Sequence, residues 1–334
     1  MIHQANVRVE SQWQKELKQS FTKPELLLDH LGFNPADFSQ DIEARSLFNM
    51  RVPVHFANLI QKKNINDPLF KQIFPSQAEF ESSPEYVTDP LLEQNNTTPG
   101  LLHKYKSRVL IIFKGGCAVN CRYCFRRHFP YADNSVNKKQ LLTHLEYIKQ
   151  HPEINEVILS GGDPLMADDK AIEWFLTHVG DIKHVTRVRI HTRLPVVIPS
   201  RITDDLLAIF NTASFKVLMV MHINHENEIS DELKAVCKKL KQANVTLLNQ
   251  AVLLKEVNDT LTAQVNLSES LFAADILPYY LHLLDKVSGA MHFDIAEIQA
   301  KQLYSEMLAE LPGFLMPKLV REIGGERSKT PILP

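Results

Sequence analysis

From residue 108 onward, short apolar or β-branched runs alternate with amphipathic stretches, and this alternation limits the fold more than any other feature of the chain. The runs are "RVLIIF" (108–113), "EVILS" (156–160), "RVRIHT" (187–192), "FKVLMVMHI" (215–223), "VTLLNQAVLL" (245–254) and "LPYYLHLL" (277–284), with successive starts 28 to 48 residues apart. Between them lie helical patterns such as "KKQLLTHLEYIKQHP" and "SDELKAVCKKLKQAN", several with Ser, Thr or Asp in capping position, as in "ITDDLL" and "ISDELK". Repeated β-then-α units imply a parallel sheet with right-handed crossovers. Six of them predict an α/β fold of the partial (β/α)6, TIM-like kind, whose chemistry sits in the loops after the strands. The expected division is a helical appendage and linker over 1–100, the barrel over 101–312 and a tail over 313–334.

No apolar run approaches the length that spans a bilayer, and the start "MIHQANVRVESQWQKELKQS" has no apolar leader core, so the chain reads as cytoplasmic. Lys and Arg number 37 against 39 Asp and Glu, for a net charge of −2. That balance gives no broad field for nucleic acid or an anionic membrane and points to small ligands. A zinc- or cluster-containing nucleic-acid module using the basic loop "RYCFRRHF" is the rival from another class, and the near-neutral charge weighs against it.

Of only four cysteines, three fall in "GGCAVNCRYCFRR": Cys117, Cys121 and Cys124, beginning four residues after the first strand candidate. In a reducing compartment such a trio suggests metal or redox chemistry rather than disulfides. Three thiolates on one loop suit a four-iron cluster with one iron left open. Spacing alone also leaves open a structural zinc completed by a residue such as His128, or chance clustering. After the second strand candidate comes "SGGDPL" (160–165), which by itself is a Gly-Gly turn capped by Asp.

The cysteine motif, with Tyr123 before its last cysteine, resembles the signature of the radical S-adenosylmethionine superfamily. Together with "SGGDPL", "RIHTRLPVVIPSRIT", "HINHENEIS", "LLNQAVLLKEVND", "PYYLHLLDKVSGAMHF" and "REIGGERSKTP", it makes residues from about 100 to 331 resemble the lysine 2,3-aminomutase family. Within that family the chain is similar to the short bacterial branch that makes β-lysine for elongation factor P, through "GLLHKY", "CFRRHFPYA" and "VREIGGE".

The resemblance implies an isomerase that converts L-lysine to β-lysine by radical amino migration. It implies a 4Fe-4S cluster on Cys117, Cys121 and Cys124, S-adenosyl-L-methionine against Gly161, Gly162 and Asp163, and pyridoxal 5′-phosphate on Lys329 as a Schiff base, with Arg108 near that cofactor. Arg126 would clamp the substrate α-carboxylate, and Asp285 with Glu322 would hold the ε-ammonium. The implied partners are an electron donor protein, elongation factor P with its lysyl-ligase, and further copies of the chain.

Two departures stand out. Glu322 occupies a position where the family commonly has Asp, and the sequence given stops five residues after Lys329, before the segment that carries zinc ligands in the longer catabolic enzymes. No zinc site is therefore expected. His222 and His225 suggest a hydrogen-bonding or pocket role rather than a metal. Rival substrates are glutamate, ornithine, or lysine in catabolism. Glutamate is disfavoured because its side chain would need a cation where Asp285 stands.

Overall fold

A computed structural model describes residues 10–94, 98–131, 134 and 136–334. Residues 1–9, which carry the start read for a leader, residues 95–97 of the linker and Ala132 of "CFRRHFPYA" lie outside the described residues.

All six strand candidates are strands. They form β2 (Arg108–Lys114), β3 (Glu156–Gly161), β4 (Arg187–Thr192), β5 (Lys216–Met221), β6 (Thr246–Val252) and β7 (Leu277–His282), preceded by β1 (Leu101–Tyr105) and followed by β8 (Lys318–Arg321) and β9 (Thr330–Pro331). The nine strands lie in sequence order in one sheet. Those from β2 to β8 are parallel, while β1 and β9 pair antiparallel at the two edges. The six expected β/α units are thus present, and a seventh parallel strand, β8, follows them, its "KLVR" being too short to show a period of its own.

Helices Lys138–Gln150, Asp169–Gly180, Asp204–Asn211, Asp231–Gln242, Leu261–Ala273 and Glu297–Glu310 make the crossovers. Side chains of Asn137, Asp168, Thr203, Ser230 and Thr260 accept hydrogen bonds from their first turns. That accounts for the capping signals seen in the sequence.

The open side of the sheet, between β1 and β9, is bridged by polar contacts. The Tyr105 hydroxyl donates to Glu322 at 3.2 Å, and the Lys104 ammonium lies 4.0 Å from the same carboxylate. The N-terminal helices, Gln12–Lys18, Pro24–Leu31, Val54–Leu59 and Pro68–Ile73, share one continuous apolar core with the barrel, running from Trp13 through Phe56 and Val188 to Ile332. Residue 100 thus marks a change of secondary structure within a single core.

A buried charge triad ties these N-terminal segments to the cysteine loop. Glu79, with no exposed side chain, accepts from Arg122 Nε at 2.7 Å, Arg122 Nη2 at 2.5 Å and Arg127 Nη2 at 2.6 Å. Carbonyls of Phe48 and Gly289 take further guanidinium donors. Because removing one member strands buried charge, Glu79→Ala is expected to lower stability by about 3–5 kcal/mol, read as a lower urea midpoint at unchanged slope.

Candidate active site

The C-terminal ends of the strands open onto one cavity. Its wall brings together Cys117, Cys121, Cys124, Arg126, Gly161, Gly162, Asp163, Asp285, Glu322 and Lys329, which are spread over more than 200 residues of sequence. Arg108 is not on the wall. Its guanidinium lies 3.9 Å over the ring of Tyr105, the residue whose hydroxyl reaches Glu322.

The three cysteines are free and partly exposed. Burial, with the other two cysteines and Asp163 nearby, pushes the Cys117 thiol well above its usual pKa, and burial likewise pushes Cys124 up to about 11. Thiols in such a place become thiolates against a metal. Among the described residues no three His, Cys, Asp or Glu side chains converge on a point that a single ion could occupy. A multi-iron cluster, bound by separate thiolates, asks for no such convergence. His128 Nε2 is spent on the Ser288 carbonyl at 3.1 Å.

The Gly-Gly turn is shaped by the cysteine loop. Gly162 N donates to Lys114 O at 2.7 Å and Asp163 N to Gly116 O at 2.9 Å. A Cβ on Gly162 would lie 2.5 Å from Gly116 O, and Gly161 has φ +114° with Lys114 O 2.5 Å from where its Cβ would be. Neither position admits a side chain without moving backbone. The Asp163 carboxylate accepts from the Thr192 hydroxyl and from the backbone N–H groups of Leu165, Arg193 and Leu194 at 2.7–3.0 Å. It fastens the β3 loop to the β4 loop.

Arg126 is buried and already occupied. Its Nε and Nη2 donate to the two carboxylate oxygens of Glu93 at 2.7 and 3.2 Å, and Nη1 donates to Ser160 Oγ and Gly161 O. Burial opposes ionisation of Glu93, but Arg126 and Lys104 outweigh it and hold its pKa below the usual range. Nothing in the linker sequence singles out Glu93.

At the other end, Lys329 pairs with Glu322 and lies 5.6 Å over the Tyr280 ring. Burial works against a charged Glu322, yet Lys329 and Lys104 keep its pKa low. Among the described residues Asp285 has no such counter-ion at bonding distance. Burial, and then Glu322, raise its pKa to about 7, and its Oδ1 is shut off from solvent without a partner.

Four more buried atoms on the wall lack partners among the described residues: His191 Nε2, Arg193 Nε, His282 Nε2 and Gln250 Oε1. Orphaned buried polar atoms are costly unless a bound polar group satisfies them. Burial and nearby cations hold His191 and His282 well below the usual histidine pKa and His222 at about 4, so all three act as neutral donors and acceptors. His222 faces His191 at 3.5 Å, whereas His225 accepts from Asn227 N in a turn away from the wall. Arg193, Gln250 and His282 were not singled out in the sequence. A polar residue inside an otherwise apolar strand run was the available signal for Gln250 and His282.

Residues 111–262 match the family described as the radical SAM superfamily. The chain is 50% identical to the L-lysine 2,3-aminomutase of Escherichia coli (strain K12), across 96% of this chain and 94% of that one. Against the enzyme of that name from Haemophilus influenzae identity is 52%, across 97% and 96%. The L-lysine 2,3-aminomutase of Acetoanaerobium sticklandii is 32% identical, across 96% of this chain and 78% of its own. Among the described residues no helix is long and apolar enough to cross a membrane. With half of its residues shared over nearly the whole length of such relatives, the chain belongs to the L-lysine 2,3-aminomutase family.

Proposed function

We propose that this chain is an isomerase that moves the amino group of L-lysine from the α to the β carbon. The observation that carries the reading is the layout of the cavity: a cysteine trio, a buried guanidinium, and a separate pair of carboxylates beside a lysine amine all face one space. Cys117, Cys121 and Cys124 would hold a 4Fe-4S cluster. Gly161 and Gly162 would lie against S-adenosyl-L-methionine on the turn that Asp163 fastens, and Lys329 would carry pyridoxal 5′-phosphate with Arg108 nearby. When bound, these groups supply the radical and the stabilised nitrogen shift, which no side chain provides.

The chain's own residues bind and orient. Arg126 meets the α-carboxylate by a charge-assisted contact that shares or takes over the edge now held by Glu93. Asp285 and Glu322 meet the ε-ammonium. A side-chain acid such as glutamate would instead bring negative charge against Asp285, Glu322 and Glu93, a costly mismatch in a desolvated site. Fixing both ends of lysine presents its middle carbons in one orientation. The neutral His191, His222 and His282 offer hydrogen bonds without adding charge.

An external one-electron donor protein, assembly with further copies of the chain, and a supply role for elongation factor P and its lysyl-ligase complete the proposal. The last rests on the segments "GLLHKY", "CFRRHFPYA" and "VREIGGE".

The test is anaerobic reconstitution with iron, sulfide and pyridoxal phosphate, followed by S-adenosylmethionine, dithionite and labelled lysine. Broad iron–sulfur absorption and labelled β-lysine are expected. A colourless protein with one zinc per chain, or rearrangement of another amino acid with lysine untouched, overturns the reading.

A further inference from the structure

Arg193 is the first residue after β4, and its side chain reaches across the barrel mouth to the cysteine loop. Nη1 donates to Cys121 Sγ and to the Tyr123 hydroxyl, each at 2.8 Å. Nη2 donates to Glu228 Oε2 and Gln72 Oε1, also at 2.8 Å. Arg193 is 4% exposed, and Glu228 and Gln72 are wholly buried. Its backbone N–H is fixed by Asp163 at 2.8 Å. Glu228 is itself immobilised, its Oε1 accepting from the N–H groups of Asn224 and His225. Among the described residues Cys121 is the one cysteine of the trio that accepts from a cationic side chain.

Structural needs alone do not account for this arrangement. A buried arginine needs a counter-ion, and Glu228 supplies one. The guanidinium nevertheless turns its other nitrogen to a sulfur, where the chain could have placed a carbonyl as it does for Arg122 and Arg127. Hydrogen bonds and charge at a ligand sulfur are among the protein's main means of setting the potential of an iron–sulfur cluster. One-electron reduction adds a negative charge shared with the thiolates, and a fixed cation at a desolvated sulfur favours the more negative state.

We infer that Arg193 is a positioning residue that raises the reduction potential of a cluster held through Cys121, and that Glu228 sets how much of its charge the cluster feels. The inference rests on the reading of Cys117, Cys121 and Cys124 as cluster ligands. The electron comes from a low-potential one-electron donor, and no bond to Arg193 forms or breaks.

The experiment is an equilibrium redox titration of reconstituted full-length protein, with dithionite as reductant and electron paramagnetic resonance of the reduced cluster as readout, normalised to iron and sulfide per chain. Arg193→Gln is expected to lower the reduced-to-oxidised ratio at a fixed applied potential by about tenfold, ~59 mV for a one-electron couple. Glu228→Gln removes the counter-charge and is expected to move the ratio the opposite way. Tyr123→Phe, which leaves Arg193 with Cys121 as its acceptor on Nη1, moves it upward or not at all.

Opposite signs for the two charge variants support the inference, because a purely structural role would make both lose cluster and would leave the potential of the remainder unmoved. Equal potentials in wild type and Arg193→Gln, or shifts of one sign in both variants, overturn it. If Arg193→Gln does not fold, the sign of the Glu228→Gln shift decides. A wild-type protein that holds no reducible four-iron cluster refutes the proposed function instead, and that outcome is visible before any variant is compared.

Discussion

Reconstituted Lys329→Ala protein is expected to turn lysine over at least about a thousandfold more slowly than wild type, while keeping its iron–sulfur absorption and losing pyridoxal phosphate on gel filtration. The reason lies in how the tail is pinned. β8 runs parallel to β7, and β9 turns back on it with Val320 opposite Pro331 and Arg321 opposite Thr330. Ile332 N donates to Leu319 O at 2.9 Å, which locks the segment just after Lys329. The residue is therefore not a loose tail lysine but closes the loop of a short hairpin immediately before β9, with its amine set at the cavity beside Glu322. Lys329→Arg separates charge from chemistry. It restores a cation for Glu322, but a guanidinium stays protonated and offers no free amine for a Schiff base. Equal loss of cofactor and activity in both variants, with near-normal stability in the Arg variant, is the expected result. Retention of a pyridoxal absorption band in either variant would mean that another amine carries the cofactor.

The barrel was legible because its strands are apolar runs long enough to show a period, and its helices carry caps that the structure uses. β8 escaped because four residues carry no period, and β1 because "LLHKY" reads equally as linker. The cavity wall was legible where a motif fixed the spacing, as for the cysteines and the Gly-Gly turn. Its polar network was less so. The resemblance implies that Asp163 lies at the cofactor, but nothing local in "SGGDPL" shows that its carboxylate accepts from Thr192 and three backbone N–H groups. Glu93 and Arg193 owe their importance to partners 33 and 72 residues away in sequence, and no local pattern encodes such contacts. Arg126 shows both sides: its place was readable from the loop, its engagement by Glu93 was not.

Asp285→Asn is expected to cost about 3–4 kcal/mol of transition-state binding, roughly two to three orders of magnitude in kcat/KM for lysine, and at the same time to make the ligand-free protein more stable. Asp285 faces Glu322, Glu93, Lys329 and Lys104 across the cavity, and burial followed by Glu322 raises its pKa to about 7. In an unfolded chain an aspartate titrates near 3.9. Between these values the folded protein binds a proton that the unfolded chain has released, so stability falls as pH rises from about 4 to about 7 and the full deficit persists above that. The deficit is on the order of 2–4 kcal/mol. Asparagine does not ionise, so the variant should match wild type near pH 4 and exceed it at pH 8 in urea melts. Lysine reverses the balance, since its ε-ammonium favours the ionised carboxylate. The KM for lysine should therefore fall in wild type as pH is raised from 6 to 8, and that fall should be absent in Asp285→Asn. A variant no more stable than wild type at pH 8, or a KM that falls with pH in both proteins, would show that Asp285 is not the buried acid that the ammonium of lysine meets.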